Sequence, residues 1–137
     1  MIIQENIPSR LDTIPDFILS LKERLAHLSL KEEEIFHIQL CLEEALVNAV
    51  KHGNKLNPDL SVQVLVESQD DSLAITVIDQ GKGFDFKNVP DPTVTDNLPK
   101  VSGRGIFLIK KLMDKVEFFD CGRGIKMIKS LKKEAKT

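Results

Sequence analysis

Apolar residues recur every three or four positions in two stretches near the start of the chain, which predicts two helices. In the first stretch they are Phe17, Ile18, Leu21, Leu25 and Leu28. Thr13, followed three residues later by Asp16, resembles a capping box, and Pro15 suits a first helical turn. The pattern therefore predicts a helix that starts at Thr13 and breaks at Ser29.

The second stretch predicts a helix from about Leu30 to His52. Ser29 and Glu32 repeat the start signal, and Gly53 supplies a C-terminal stop. One side of this helix carries the apolar residues Ile35, Ile38, Leu42, Leu46 and Ala49.

A polar stripe on the same helix consists of Glu44, Asn48 and His52, which share a face because they lie four residues apart. The apolar surroundings indicate that much of the helix is buried, and a buried carboxylate or amide costs roughly a few kcal/mol unless it has a partner. Glu44 and Asn48 thus favour a ligand or a metal. His52 could either contact the ligand directly or, equally, only interact favourably with the negative end of the helix dipole.

Strict alternation of apolar and polar residues predicts strands at 62–67 and 73–78, joined by a polar hairpin connection at 68–72. Asp79 follows the second strand on the same side as Val77, so its carboxylate should face the covered side of the sheet. Shorter strands are predicted at 2–7, 115–119 and 125–131, the last two forming a hairpin.

Three prolines interrupt the segment 84–101, which predicts a long loop. Loops of this length are often lids or binding loops, with a disordered insertion as the alternative. Ser102 can cap a third helix at 103–113. This order of elements predicts one domain, 1–137, with an α+β fold: a two-layer sandwich with helices on one face of a mixed, mostly antiparallel sheet.

Length and charge restrict the function classes. A chain of 137 residues with a net charge of −2 suits a single soluble domain and gives no signature of nucleic-acid binding, and the lysines after Lys126 are expected to be solvated. The sequence has no apolar run of membrane-spanning length and no leader pattern, so a cytoplasmic location without a membrane role is expected. Cys41 and Cys121 are expected to be reduced, with Cys41 in the core.

Two pairs of glycines point to a ligand. Gly81 and Gly83 follow a strand, where they either supply positive φ to a turn or let the backbone approach a planar or anionic group. Gly103 and Gly105 stand at a helix start, where free N–H groups and the positive end of the dipole favour phosphate. The sequence has neither a Walker-type phosphate loop nor the motif set of the eukaryotic protein kinases.

Three ordered blocks carry a resemblance to a known family. They are Glu44-Ala-Leu-Val-Asn48-Ala-Val-Lys51-His52-Gly53-Asn54, Asp79-Gln-Gly81-Lys-Gly83-Phe84 and Ser102-Gly103-Arg104-Gly105-Ile-Phe-Leu108. They resemble the N, G1 and G2 boxes of the GHKL (Bergerat-fold) ATPases, and in particular the small anti-sigma-factor serine kinases. The resemblance covers nearly the whole chain.

The resemblance implies a role for each matching position. Glu44 matches the general base, Asn48 the Mg²⁺ ligand, and Asp79 the acid that reads the adenine amino group; residues 84–101 match a mobile ATP lid. Lys51 and Arg104 could each either reach a phosphate oxygen or simply be solvated. The residues assigned to nucleotide binding are Asn48, Lys51, His52, Asp79, Gly81, Gly83, Phe84, Ser102, Gly103, Arg104 and Gly105. One position departs from the family, because Ile125 follows Gly124 where many members have threonine.

The resemblance implies an ATP- and Mg²⁺-dependent serine/threonine protein kinase that phosphorylates a STAS-domain anti-anti-sigma protein and sequesters a sigma factor, as a homodimer. One alternative is a non-catalytic binding module whose affinity for a protein partner is tuned by nucleotide. Another is an ATPase or a histidine-kinase-like catalytic domain.

Overall fold

Three helices cover one face of a five-stranded sheet in the computed structural model, which describes residues 2–81 and 103–131. The helices are α1 (Ile14–Leu25), α2 (Glu32–Val47) and α3 (Gly103–Leu112). The strands are β1 (Ile2–Pro8), β2 (Ser61–Gln69), β3 (Ser72–Ile78), β4 (Lys115–Phe119) and β5 (Gly124–Ser130). The predicted α+β sandwich is therefore confirmed, whereas the predicted lid at 84–101 lies outside the described residues.

The strand order is β1-β2-β3-β5-β4, and all four neighbouring pairs are antiparallel. The prediction of a mixed sheet is thus wrong for the described strands. After α3 the chain enters the sheet at its edge as β4, parallel in direction to β3, and then returns between them as β5. The hairpin between β2 and β3 is also tighter than predicted, since Gln69 already pairs with Ser72 and only Asp70 and Asp71 lie between the strands.

The predicted capping box at the start of α1 is wrong. A 3₁₀ turn, Leu11–Thr13, precedes the helix, so Thr13 already has helical backbone angles. Its hydroxyl donates to the carbonyl of Arg10 at 2.8 Å instead of accepting from the N–H of Asp16. The preceding turn supplies a nearby acceptor that the hydroxyl can reach.

Helix α2 begins later than predicted. Ser29 adopts the left-handed conformation (φ 54°) and ends the turn before it, and the helix starts at Glu32. The backbone N–H of Lys31 donates to Glu34 Oε1 at 2.9 Å, which is the acidic half of a capping box. The start signal is therefore displaced by two residues from Ser29.

The core lies between the helices and the sheet. The inner face of the sheet contributes Val62, Val64, Val66, Leu73, Ile75, Val77 and Met127, and α2 contributes Ile38, Cys41, Leu42, Ala45 and Leu46. The residues of β2 and β3 are the apolar halves of the predicted strand patterns, and Ile38, Leu42 and Leu46 belong to the predicted apolar side of the helix. Cys41 was predicted separately to lie in the core, whereas Ala45 and Met127 were not assigned to it. Within residues 2–81 and 103–131, no helix is both long enough and apolar enough to cross a membrane.

The two cysteines should differ sharply in reactivity. Cys41 is fully buried, and burial raises the pKa of its thiol to about 11, whereas Cys121 is exposed. Because the thiolate is the reactive form, an aromatic disulfide reagent at pH 8 should label Cys121 rapidly in the native protein and Cys41 only on unfolding. Cys121→Ser is the control and should remove the fast phase. A fast phase that survives this substitution would contradict the burial of Cys41.

Candidate functional site

The α-helical part of α2 ends at Val47, before the predicted end at His52, and a π-helical turn, Asn48–Gly53, carries the helix on to the predicted stop at Gly53. The N–H of Asn54 donates to the carbonyl of Ala49, five residues back, at 2.8 Å. π-Helical turns are wider than α-helical ones and are frequent at functional sites. This turn places Asn48, His52 and Gly53 along the wall of one cleft.

The cleft lies between the end of α2, the ends of β3 and β5, and the first turns of α3. Its polar lining residues are Asn48, His52, Asp79 and Arg123. The remaining lining residues are small or apolar: Ala45, Ala49, Gly53, Val77, Ile106, Phe118, Gly122 and Ile125. An apolar cleft with a few convergent polar groups is the usual form of a small-molecule site.

Asp79 lies at the floor of this cleft and is only 7% exposed, on the covered side of the sheet as predicted. Its Oδ1 accepts from the N–H of Gly81 at 2.8 Å, and its own N–H donates to the carbonyl of Arg123 at 3.0 Å. Burial raises the pKa of its carboxyl, an effect that the Gly81 N–H and the Arg123 charge oppose and the Asp120 charge reinforces. The fold thus holds this acid in place while disfavouring its charge.

Gly53 and Gly81 are required by close approach. A Cβ on Gly53 would lie 2.3 Å from Asp79 Oδ2, and a Cβ on Gly81 would lie 1.8 Å from the carbonyl oxygen of Gly53. In the described chain the glycine with positive φ is Gly122. Gly81 therefore does not supply the positive φ that one interpretation required. The structure gives a reason that the sequence analysis did not consider, the close approach of the Gly53 carbonyl, whereas approach to a ligand stays a prediction.

Asn54, to which the sequence analysis assigned no role, joins the π-helical turn after α2 to the start of β2 and to the residue that follows Asp79. It is 2% exposed; its Oδ1 accepts from the N–H of Gln80 at 2.7 Å, and its Nδ2 donates to the carbonyl of Ser61 at 2.9 Å. The N–H of Ser61 in turn donates to Gln80 Oε1 at 2.7 Å. In the sequence, Asn54 is visible only as the last residue of the first block that carries the resemblance, and an asparagine after a helix is ordinarily a turn residue.

Arg123 is a second residue whose role only the structure shows. Its Nε donates to the carbonyl of Gly81 at 2.7 Å, and its guanidinium lies 3.2 Å from Asp120 Oδ1. In the sequence it is merely the middle of the turn Asp120-Cys-Gly-Arg-Gly124. In the fold it supports the glycine turn that follows Asp79.

Asn48 fits a metal ligand. Its Oδ1 is buried and has no hydrogen-bond partner among residues 2–81 and 103–131. A buried amide oxygen without a partner is costly, and an amide oxygen is a ligand type that Mg²⁺ accepts. The donor chemistry and the orphaned atom thus suit a hard cation at this position.

The remaining residues of the helix stripe differ in environment. Glu44 is half-buried, and burial, followed by the charge of Glu43, raises the pKa of its carboxyl. Burial, followed by the charge of Lys51, lowers the pKa of His52, which favours the neutral imidazole. Lys51 itself is exposed and is not among the residues that line the cleft.

Gly103 and Gly105 form the first turn of α3, and Ile106 of the same turn lines the cleft. The helix start that was predicted to contact phosphate therefore borders the cleft that holds Asn48 and Asp79. Gly83, Phe84 and Ser102 lie outside the described residues, as does the side chain of Arg104.

A two-layer sandwich whose cleft joins these three blocks matches one class of nucleotide-binding domain. The family model described as "Histidine kinase-like ATPase domain" matches residues 7–129. The chain belongs to this family, and its resemblance to the GHKL ATPases is confirmed.

Among curated proteins, the chain is similar to the serine-protein kinase RsbW of Staphylococcus epidermidis, with 29% identity over 96% of this chain and 88% of that protein. RsbW of Staphylococcus aureus (strain MSSA476) is 27% identical over the same shares. A crystal structure of the RsbU and RsbW domains of Rv1364c from Mycobacterium tuberculosis superposes with a TM-score of 0.63 at 16% identity. That match covers 96% of this chain but 32% of the solved chain, and it supports the fold alone.

Gly81→Ala should destabilise the protein by about 1–3 kcal/mol or more, because the new methyl group would meet the backbone of Gly53, which cannot move aside cheaply. Urea unfolding measures this loss. Gly124→Ala is a matched control, since its methyl group would meet the ring tip of Phe119, a partly exposed and movable side chain. Equal losses for the two variants would contradict the proposed reason for glycine at position 81.

Asp79→Asn should stabilise the ligand-free protein at pH 7. The amide keeps an oxygen that can accept from Gly81 and removes a buried charge. Because folding raises the pKa of this carboxyl above 3.8, its ionised form costs stability at neutral pH, and the cost fades as pH falls through the raised pKa. Unfolding curves at several pH values should show the advantage of the variant shrinking toward acid. An advantage that grows toward acid would contradict this sign.

Proposed function

We propose that this protein is a Mg²⁺- and ATP-dependent serine/threonine protein kinase of the anti-sigma type. Its substrate would be a serine of a STAS-domain anti-anti-sigma protein, and its second partner a sigma factor that it sequesters. The observation that carries the proposal is that one cleft is lined both by a buried acid, Asp79, and by Asn48, whose buried amide oxygen has no partner among the described residues. The similarity to proteins named serine-protein kinases supports serine as the acceptor.

The geometry suggests how the nucleotide would be oriented. The buried carboxylate of Asp79 can accept a hydrogen bond from the amino group of adenine, and the apolar residues Val77, Phe118 and Ile125 suit the faces and edge of a flat ring. The phosphates would then extend toward the N–H groups at the start of α3. Lys51, His52 and Arg104 are proposed to assist there.

Asn48 would hold Mg²⁺ through Oδ1, and the bound ion would neutralise charge on the phosphates. Glu44 lies one turn earlier on α2, since its carbonyl accepts from the N–H of Asn48. Its raised pKa brings the carboxylate closer to the strength that a general base needs. Glu44 would take the proton of the serine hydroxyl while the oxygen–phosphorus bond forms and ADP leaves.

Glu44→Ala should lower phosphoryl transfer at least about 100-fold while leaving ATP affinity nearly unchanged, because a general base acts on the acceptor hydroxyl and not on the nucleotide. Transfer of labelled γ-phosphate to lysate STAS proteins measures the first quantity, and calorimetry measures the second. Glu43→Ala is the matched control, since this neighbouring acid is exposed and points about 100° away around the helix. Its charge is the smaller of the two causes that raise the pKa of Glu44, so its removal should lower transfer far less than Glu44→Ala.

Each outcome of this experiment is informative. A phosphoserine band that depends on Glu44 would support the kinase and identify its substrate, whereas unchanged transfer in Glu44→Ala would remove this residue from the mechanism. An acid-labile phosphoprotein would indicate phosphohistidine instead. Light scattering at twice the chain mass would support the proposed homodimer.

The second candidate is a binding module whose affinity for a protein partner is tuned by nucleotide without catalysis. It is favoured by Ile125, which lines the cleft where many family members have a threonine that helps to hold adenine. Clear ATP binding without transfer would support it. If Asp79→Asn blocks ATP binding while partner capture persists at full strength, the nucleotide is dispensable for the interaction.

A further inference from the structure

Lys129 lies on the covered face of the sheet, although the sequence groups it with lysines expected to be solvated. Along β5, Ile125, Met127 and Lys129 alternate toward the helices. The Nζ of Lys129 donates to the carbonyl of Leu112 at 2.7 Å and lies 3.2 Å from Nδ1 of His37. One ammonium group on the sheet therefore contacts the last residue of α3 and the middle of α2.

Both contacts suit a partly buried ammonium group. A helix C-terminus carries partial negative charge on its free carbonyls, and a lysine that donates to the last of them is stabilised by it. His37 Nδ1 accepts the second bond when its ring is neutral with the proton on Nε2, the atom that lies 3.9 Å from Glu33 Oε1. The charge of Lys129 also lowers the pKa of the nearby Cys41 thiol, against the larger effect of burial.

The two linked helices carry opposite halves of the candidate site. Helix α2 bears Glu44 and leads directly into the π-helical turn that begins with Asn48, and α3 begins with the glycines proposed to meet phosphate. In the described part of the chain, the other hydrogen bonds at the end of α3 stay within the helix or lead to β5: the N–H of Asp114 donates to the carbonyl of Ile128 at 2.9 Å, and the N–H of Ser130 donates to Asp114 Oδ2 at 2.6 Å. The ammonium group of Lys110 lies 5.8 Å from the centre of the Phe118 ring on β4. Lys129 adds a polar link from α3 to α2.

We propose that Lys129 is a positioning residue: by joining Leu112 to His37, it fixes the tilt of α3 against α2 and so the distance between the phosphate end of α3 and Asn48. This inference rests on the proposed nucleotide site for its consequence, but the link itself does not depend on any ligand. Lys129 acts through the two helices and is not a catalytic residue.

A contact at the C-terminus of α3 can affect its N-terminus because the length of the helix amplifies a small tilt. A helix of ten residues is about 15 Å long, so a tilt of about 5° about its C-terminus moves its N-terminus by roughly 1 Å. Displacements of this size are large enough to weaken ligand contacts and to misalign reacting groups.

Lys129→Met keeps the aliphatic stem and removes the donor, whereas Lys129→Arg keeps a donor. In hydrogen exchange without nucleotide, α3 amides should exchange about tenfold faster in Lys129→Met, while those of β2 and β3 remain as in wild type. ATP affinity should fall about three- to tenfold, a typical size for a mutation that acts through a linked element. Lys129→Arg should keep the α3 exchange rates and the ATP affinity close to those of wild type, because it retains a donor. A role that depended only on side-chain volume would not distinguish the arginine from the methionine variant in this way.

Lys126→Met is the matched control, since Lys126 lies on the same strand but on the opposite face, beside Thr76 and Glu117. It should leave α3 exchange and ATP affinity unchanged. His37→Gln, which keeps a neutral acceptor, should behave like wild type, and His37→Leu should reproduce part of the Lys129→Met effect. In the double variant with Lys129→Met, the effect of His37→Leu should largely disappear.

Unchanged α3 exchange in Lys129→Met would overturn the inference. Faster α3 exchange with unchanged ATP affinity would overturn its link to the nucleotide site and leave the proposed kinase intact. Failure of wild type to bind ATP would count against the proposed function, whereas the exchange comparison would still decide whether Lys129 fixes α3.

Discussion

The close approach of the end of α2 to the end of β3 is the constraint on which the cleft depends. The carbonyl of Gly53 lies where a Cβ of residue 81 would be, and Asp79 lies where a Cβ of residue 53 would be. Two glycines 28 positions apart therefore permit one contact. The π-helical turn widens the end of α2 and brings Asn48 and His52 to the same cleft, and Asn54 then joins this turn to β2 and to the residue after Asp79. Any side chain at either glycine would separate the groups that a nucleotide has to meet together.

Two polar groups of the cleft are unfavourably placed in the ligand-free fold. Burial disfavours the ionised carboxylate of Asp79, and the buried oxygen of Asn48 lacks a partner among the described residues. Both features reduce the stability of the empty protein. A ligand that donates a hydrogen bond to the carboxylate would relieve the first, and a cation coordinated by the amide oxygen would relieve the second. Sites of this kind commonly trade stability for function, because preorganised polar groups cannot all be satisfied before the ligand arrives.

Most of the fold could be predicted from the sequence, and the errors have local physical causes. Alternating valines and isoleucines identified β2 and β3 because half-buried strands repeat every two residues. The start of α1 near Thr13 was predicted correctly, but its capping box was not, because the Thr13 hydroxyl donates to a carbonyl of the preceding turn. The start of α2 was placed too early because Ser29 adopts a left-handed conformation. Glu44, Asn48 and Asp79 of the candidate site could be predicted from the sequence, since a charged or amide side chain among apolar neighbours stands out in the sequence pattern. Asn54, Arg123 and Lys129 could not, since each resembles an ordinary turn or surface residue.

The printed chain thus contains the elements, the polar stripe on α2, the acid after β3 and the glycine pairs that carry the family resemblance. These features follow from spacing within a few residues, where helical and strand geometry relate positions directly. The tertiary structure alone shows that Gly81 is needed for approach to Gly53, that Asn54 joins three elements, and that Lys129 faces α2 and α3. Such contacts join residues that are far apart along the chain, and they are fixed by how helices pack on the sheet, which no local period encodes.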